Sequence, residues 1–301
     1  MNNKQSYRLG VWLAVGAAFG FSAKAILVKL AYAFPGPTAV EPVTLLALRM
    51  VYSLPAFVWV GLRASRHAEP LSGRDWLAIV ALGLLGYYGA SIFDFLGLRL
   101  ISAGLERLIL FTYPTLTLLL GVLFFGHRIT RREVAALALC YIGIAAAFTH
   151  DLDVAGDEAA VWLGAGLVFA SSLAYSGYLV GGGQMILRLG AARFTALAML
   201  VSTTATLLHF FISQPPSSLM VQPWQIHALG FAMALFSTVL PVFAMAAAMR
   251  RIGSSRAAMI STLGPLTTIF LGWWILGESI SLAQIVGTAL VVGGVVIVSK
   301  R

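Results

Sequence analysis

Apolar runs of near-uniform length alternate along the chain with short polar stretches. They cover roughly residues 9–31, 42–62, 76–98, 102–125, 132–149, 161–180, 193–213, 225–249, 256–276 and 282–299. Each is close to the ~20 residues a helix needs to cross a hydrocarbon layer. The pattern therefore predicts an all-α membrane protein with ten transmembrane helices. The first run follows Lys4 and Arg8 as a signal peptide would, but it contains Lys24 and Lys29 and has no clear small-residue cleavage site, so it reads as a retained span.

The second half of the chain repeats the first. Tyr113-Pro114-Thr115-Leu116-Thr117 is followed by Gly121, Gly126, Ile129 and Gly143. Gly264-Pro265-Leu266-Thr267-Thr268 is followed by Gly272, Gly277, Ile280 and Gly294. Every matched pair is 151 residues apart, and no gap is needed from Arg99/Arg250 to Gly143/Gly294. Five apolar runs fill each copy. An odd number reverses the second copy in the bilayer, so the expected fold is two inverted five-helix repeats, residues 1–150 and 151–301, forming one transport unit. Pro114 and Pro265 fall inside the fourth and ninth runs. Each removes a backbone hydrogen bond and should kink its helix, and matched interruptions of this kind point to a binding site.

Composition agrees with the pattern. The 301 residues are 59% hydrophobic and 10% charged, with mean hydropathy +0.90, far from a soluble domain. The net charge of +9 lies in short loops between apolar runs. That placement sets membrane orientation and gives no reason to expect a nucleic-acid partner. Lys4, Arg8, Arg63, Arg74, Arg131, Arg188, Arg193, Arg250 and Arg301 all fall on one side, while the opposite loops hold Asp151, Asp153, Asp157 and Glu158 with at most Arg99. Both termini are accordingly expected in the cytoplasm, in a bacterial cytoplasmic (inner) membrane.

Charge inside the apolar runs costs about 2.5–3.5 kcal/mol per group on insertion scales. The chain nevertheless places Lys24, Lys29, Arg49, Asp94, Glu106 and Arg107 there, with Glu41 at a run's end. All belong to the first repeat and to the outer half of the membrane. Their positions 151 residues on are Tyr175, Val180, Leu200, Met245, Ala257 and Ala258, none charged. This cluster is the expected substrate pathway. Lys24 and Arg49 are expected to pair with Asp94 and Glu106, leaving positive charge for a substrate carboxylate or phosphate. Mutual neutralisation that merely locks the first repeat is the competing reading. In the competing reading Lys29 snorkels to the interface. Glu106 and Asp94 are also candidate proton carriers, because apolar surroundings favour the neutral acid, although Arg49 and Arg107 oppose this.

Tyr87, Tyr88, Tyr113, Tyr175 and Tyr178 are further candidates for lining a cavity. Trp12, Trp59, Trp76, Trp162 and Trp224 read as interfacial anchors. Gly181-Gly182-Gly183 reads as a turn ending the sixth run, and Asp151–Ala160 as a solvated acidic loop in which His150, Asp151 and Asp153 offer at best a weak cation site. Gly16/Gly20 and Gly287, Gly293 and Gly294 mark close helix packing. Cys140 is alone, so no internal disulfide is expected, and no metal site is expected either. No phosphate-binding glycine loop with lysine occurs, so neither ATP nor another cofactor is expected. An intramembrane enzyme would need a Ser–His pair, two aspartates at membrane depth or HExxH, all absent, so no enzymatic activity is expected. A scaffold or lipid-binding protein would have no use for buried charge.

The run Pro114…Gly121…Gly126, the run Pro265…Leu276-Gly277-Glu278 and Arg49 resemble the EamA-type members of the drug/metabolite transporter superfamily. The resemblance implies ten spans in inverted repeats around a cavity built mainly from spans one, three, four, six, eight and nine. It also implies export or exchange of amino acids, metabolites or small toxic compounds. Phe125-Gly126-His127 departs from the pattern, which has glutamate after the glycine; Glu278 keeps it and is expected to structure a helix end rather than bind substrate. Glu106-Arg107 and Lys24/Lys29 are not general marks of that family. A duplicated chain can enclose a cavity alone, so the expected partners are a small-molecule substrate and the bilayer, with a coupled proton as a candidate, for a functional monomer.

Overall fold

The computed structural model describes residues 3–35, 40–125, 130–154, 157–252, 257, 260, 261 and 263–299. Among these the chain is all helical. Eight helices are long and apolar enough to cross a membrane, and two apolar helices are shorter. In chain order they are α1 (Asn3–Ala33), α2 (Pro42–Ser65), α3 (Gly73–Leu98), α4 (Ala103–Phe124), α5 (Arg131–Val154), α6 (Glu158–Leu189), α7 (Ala191–Ser213), α8 (Trp224–Ile252), α9 (Leu263–Leu276) and α10 (Leu282–Ser299). A single turn, Ser217–Met220, lies between α7 and α8.

Local chemistry sets many of the ends. Pro42 opens α2 at a position where its missing N–H costs nothing. Ser72 and Asp75 form a capping box at α3, Ser102 Oγ accepts from Leu105 N at α4, and Asp157 accepts from Ala160 N at α6. Gly190, with φ +81°, lets α7 begin immediately after α6. Gly277, with φ +68°, ends α9. The core runs inward from these helices, and the outside is apolar too: Leu62, Leu187 and Ile212 expose 69%, 89% and 85% of their surface. Trp12, Trp59, Trp76, Trp162 and Trp224 are all exposed. An apolar exterior suits hydrocarbon, not water.

Two wide, π-type turns interrupt α3 at Leu84–Gly89 and α8 at Leu235–Val239. Their first residues are 151 apart. Helix α4 breaks at Phe111–Thr112, between Ala103–Leu110 and Tyr113–Phe125. Pro114 offers no N–H to the Leu110 carbonyl, which instead lies 3.2 Å from Ser172 Oγ of α6. The Tyr113 carbonyl lies 3.0 Å from Ser176 Oγ of α6, and the Gly264 carbonyl, 151 residues further on, 3.0 Å from Ser22 Oγ of α1. Pro265 is the third residue of α9. Residue 262, in the turn before it, lies outside the described residues, so the kink expected there is not described.

Packing pairs α1 with α8, α3 with α6, α2 with α7 and α5 with α10. The α5–α10 crossing is antiparallel and nearly backbone to backbone. A Cβ on Gly143 would lie 2.5 Å from the Gly287 carbonyl oxygen, and one on Gly294 2.7 Å from that of Ala136. Cys140 Sγ, between them, lies 3.7 Å from the Val291 carbonyl.

Two expectations are corrected. Gly181, Gly182 and Gly183 do not form a turn, because α6 continues through them to Leu189. Gly181 and Gly182 leave room for Leu82 and Phe194 instead, which a Cβ would meet at 2.7 and 3.1 Å. Asp151 is not in a solvated loop. It is 7% exposed, within the last turn of α5, and both its oxygens are engaged by Ser102. The side chain of Asp153 and residues 155–156 lie outside the described residues.

The α5–α10 crossing yields a stability prediction. Gly143→Val pushes a side chain into backbone and should destabilise by about 1–3 kcal/mol. Gly293→Ala on the same pair, where a Cβ meets nothing within 4 Å, should leave the thermal midpoint in detergent unchanged.

Candidate functional site

Helices α1, α3 and α4 bring three charged groups into one buried triad. Lys24 Nζ lies 2.7 Å from Asp94 Oδ2 and 3.1 Å from Glu106 Oε1. The side chain of Glu106 has no exposed surface, that of Asp94 3%, and that of Lys24 14%. An ammonium has three donors, so one lysine can hold two carboxylates. Asp94 Oδ1 and Glu106 Oε2, however, have no hydrogen-bond partner among the described residues.

Arg49 sits beside the triad but does not pair with a carboxylate as expected. Its guanidinium donates to Ser91 Oγ at 2.8 Å and lies over the Phe95 ring at 5.0 Å. Both partners face it from the turns of α3 that flank Asp94. Arg107 follows Glu106 in sequence, but adjacent helical residues point about 100° apart. It turns away from the triad toward α9, where a Cβ on Gly264 would lie 3.0 Å from its Nη2. Its guanidinium lies 5.4 Å from the Phe111 ring centre.

The tyrosines divide. Tyr113 of α4 meets Tyr175 of α6 edge to face at 5.3 Å, Tyr175 stacks on Tyr178 at 5.9 Å, and Tyr178 donates to Tyr87 Oη at 3.2 Å. These four form a lane across α4, α6 and α3. Tyr88 does not join it. It points the other way on α3 and bonds His209 Nδ1 at 2.9 Å.

Sequence reasoning missed the knot that holds α4. The Ala103 N–H donates to Glu278 Oε1 at 3.0 Å, and the Ser102 N–H to Asp151 Oδ2 at 2.9 Å. Two carboxylates from other elements thus sit on the positive end of α4, where the helix dipole favours them. Glu278 therefore structures a helix end, though of α4 rather than its own helix. Burial pushes its carboxyl above the usual range, and the Ala103 N–H opposes that. Lys29 is half-buried on the same helix as Lys24. The Ser-Ala-Gly-Leu-Glu run from Ser102 was the available signal for this helix start; its distant partners left none. His150 Nε2 contacts Ser279, and no cluster among the described residues could hold a metal ion.

A groove of about 510 Å³ between α1 and α8 is apolar. Gly16, Gly20, Ala23, Leu27, Phe236 and Pro241 help line it, and neither the charged groups nor the tyrosine lane do.

Residues 8–149, and again 162–300, match the sequence profile of the EamA-like transporter family. The chain is 30% identical over 288 residues to the uncharacterized transporter YcbK of Bacillus subtilis, covering 92% of this chain and 88% of that protein. It is 24% identical to the uncharacterized transporter sll1319 of Synechocystis sp., covering 94% and 91%. A solved crystal structure superposes with a TM-score of 0.66 at 19% identity, covering 96% of this chain and 95% of that one, a likeness of fold alone.

Geometry ranks the triad's members. Lys24→Met leaves two buried carboxylates without a counter-ion and should cost about 3–5 kcal/mol. Glu106→Gln keeps the shorter Lys24–Asp94 pair and should cost less. Thermal unfolding in detergent checks the order, and the reverse order would make Glu106 the principal partner.

Proposed function

Because the chain belongs to the EamA-like transporter family and is an integral membrane protein, we propose that it is a secondary transporter. In this reading it exports small polar metabolites, amino acids or related compounds, by alternating access to one internal site. The observation that carries the reading is the buried triad of Lys24, Asp94 and Glu106, with its two unpartnered carboxylate oxygens. Ionisable groups within a membrane protein at such cost belong to a pathway more often than to a scaffold.

The proposal includes ten spans, α9 and α10 among them, in two inverted repeats, residues 1–150 and 151–301. Geometry supports it at three places. The π-type turns begin 151 residues apart. The carbonyls of Tyr113 and Gly264 each take a hydroxyl from the corresponding helices α6 and α1. At the α5–α10 crossing, a shift of 151 residues exchanges the Gly143–Gly287 contact with the Ala136–Gly294 contact and maps Cys140–Val291 onto itself. A two-fold axis that exchanges antiparallel helices in this way runs perpendicular to them, hence in the plane of the bilayer, as inverted repeats require. The same shift carries Lys24 on α1 to Tyr175 on α6, while Asp94 and Glu106 go to Met245 and Ala257, so the charge belongs to one repeat alone.

The placement of basic residues supports cytoplasmic termini, in a bacterial inner membrane. The two repeats within one chain support a functional monomer. Proton coupling belongs to the same reading, since the free oxygens of Asp94 and Glu106 leave room for a proton.

Counterflow uptake in proteoliposomes, with labelled amino acids, organic anions and organic cations, tests the reading. Saturable exchange of one class is expected, and Glu106→Gln should slow it at least about tenfold. Exchange of none of them would count against the proposal. An imposed pH gradient should alter the wild-type rate and not that of Glu106→Gln; indifference of the wild type rules out coupling.

A further inference from the structure

The three buried cations of the site are not equivalent. Lys24 is held by two carboxylates, and Arg49 by Ser91 and the face of Phe95. Arg107 is only 7% exposed, yet it makes no hydrogen bond or ion pair with a described residue, and its Nε is unpartnered. The Phe111 ring lies 5.4 Å away and supplies no acceptor, and Gly264 of α9 packs close to the guanidinium. A guanidinium removed from water retains a strong demand for an anion, and its planar fork suits a carboxylate.

The surroundings indicate what kind of anion. Arg107 lies between α4 and α9, beside the Phe111–Thr112 break of α4 and Gly264 of α9. Phe111 meets Tyr113 edge to face at 5.9 Å. Tyr113 and Tyr175 keep part of their surface free among packed helices, and neither hydroxyl bonds to a described residue. A cation with aromatic faces beside it, all three incompletely satisfied, forms a polar anchor with an apolar seat.

We propose that Arg107 binds the carboxylate of a small organic monoanion, with Tyr113 and Tyr175 against its apolar body. This deepens the transport reading of the same site and rests on it. A monoanion suits it: Arg107 brings a single positive charge that has no acceptor among the described residues, and one carboxylate matches it. A dianion would bring excess negative charge beside Glu106, and a cation would meet the guanidinium unshielded. The triad then positions α1, α3 and α4, while Arg107 selects the ligand.

The test is ligand-dependent thermal stabilisation of the full chain in detergent, with phenylacetate, phenylacetamide, phenethylamine, phenyl phosphate and acetate as probes, alongside counterflow of labelled phenylacetate. Phenylacetate should raise the midpoint saturably. The neutral amide and the amine should not, and phenyl phosphate and acetate should act more weakly. Arg107→Gln should abolish the shift. Arg107→Lys, which keeps the charge and loses the fork, should weaken apparent affinity roughly tenfold, and it carries the test if the glutamine variant fails to fold. Equal stabilisation of wild type and Arg107→Gln, an equal effect of the amide, or no stabilisation by any carboxylate overturns the proposal. Arg107-dependent binding without counterflow upholds the anion site while the transport reading fails. Counterflow of amines or neutral compounds, with carboxylates inert, upholds transport and overturns the anion site.

Discussion

Hydrocarbon offers polar groups no water, so every donor and acceptor inside the membrane must find its partner within the protein. That constraint governs the backbone as much as the side chains. Pro114 strips the Leu110 carbonyl of its donor, and Ser172 stands beside it on α6. The Tyr113 and Gly264 carbonyls draw hydroxyls from α6 and α1. The break of α4 is thereby tied to α6, and the start of α9 to α1.

The same constraint explains the uneven treatment of charge. Lys24 removes most of the cost of Asp94 and Glu106 but leaves one oxygen on each bare. The knot of Glu278 and Asp151 on the end of α4 fixes the helix that carries Glu106 and Arg107. One turn of α4 thus presents a nearly neutralised carboxylate to α1 and α3 and an unpaired guanidinium to α9. In the proposed transport cycle these are separate tasks, coupling and recognition, placed side by side on one rigid element.

Much of this was legible in the chain. Period and length of the apolar runs announce helices, since hydrophobicity alone decides what can enter a bilayer. Lys24, Asp94 and Glu106 were identifiable as partners because isolated charges at such depth are too costly to stand alone. The pairing was legible only in part. Arg49 went to Ser91 rather than to a carboxylate, and Tyr88 went to His209 while the other four tyrosines formed a lane. Those outcomes depend on the azimuth of each side chain and on which helix lies opposite.

By itself the sequence determined the helical membrane character, the 151-residue duplication, the prolines and the confinement of intramembrane charge to one half. These follow from composition and spacing, which act along a single helix. Only the tertiary structure decided that Gly181–Gly183 continue α6, that Asp151 is buried on Ser102, and that Arg107 faces α9 instead of the triad. Such decisions belong to contacts between residues far apart in the chain. A glycine that reads as a turn is a close-packing point once Leu82 or Phe194 lies against it, and an acidic residue that reads as solvated is a cap once a helix end meets it.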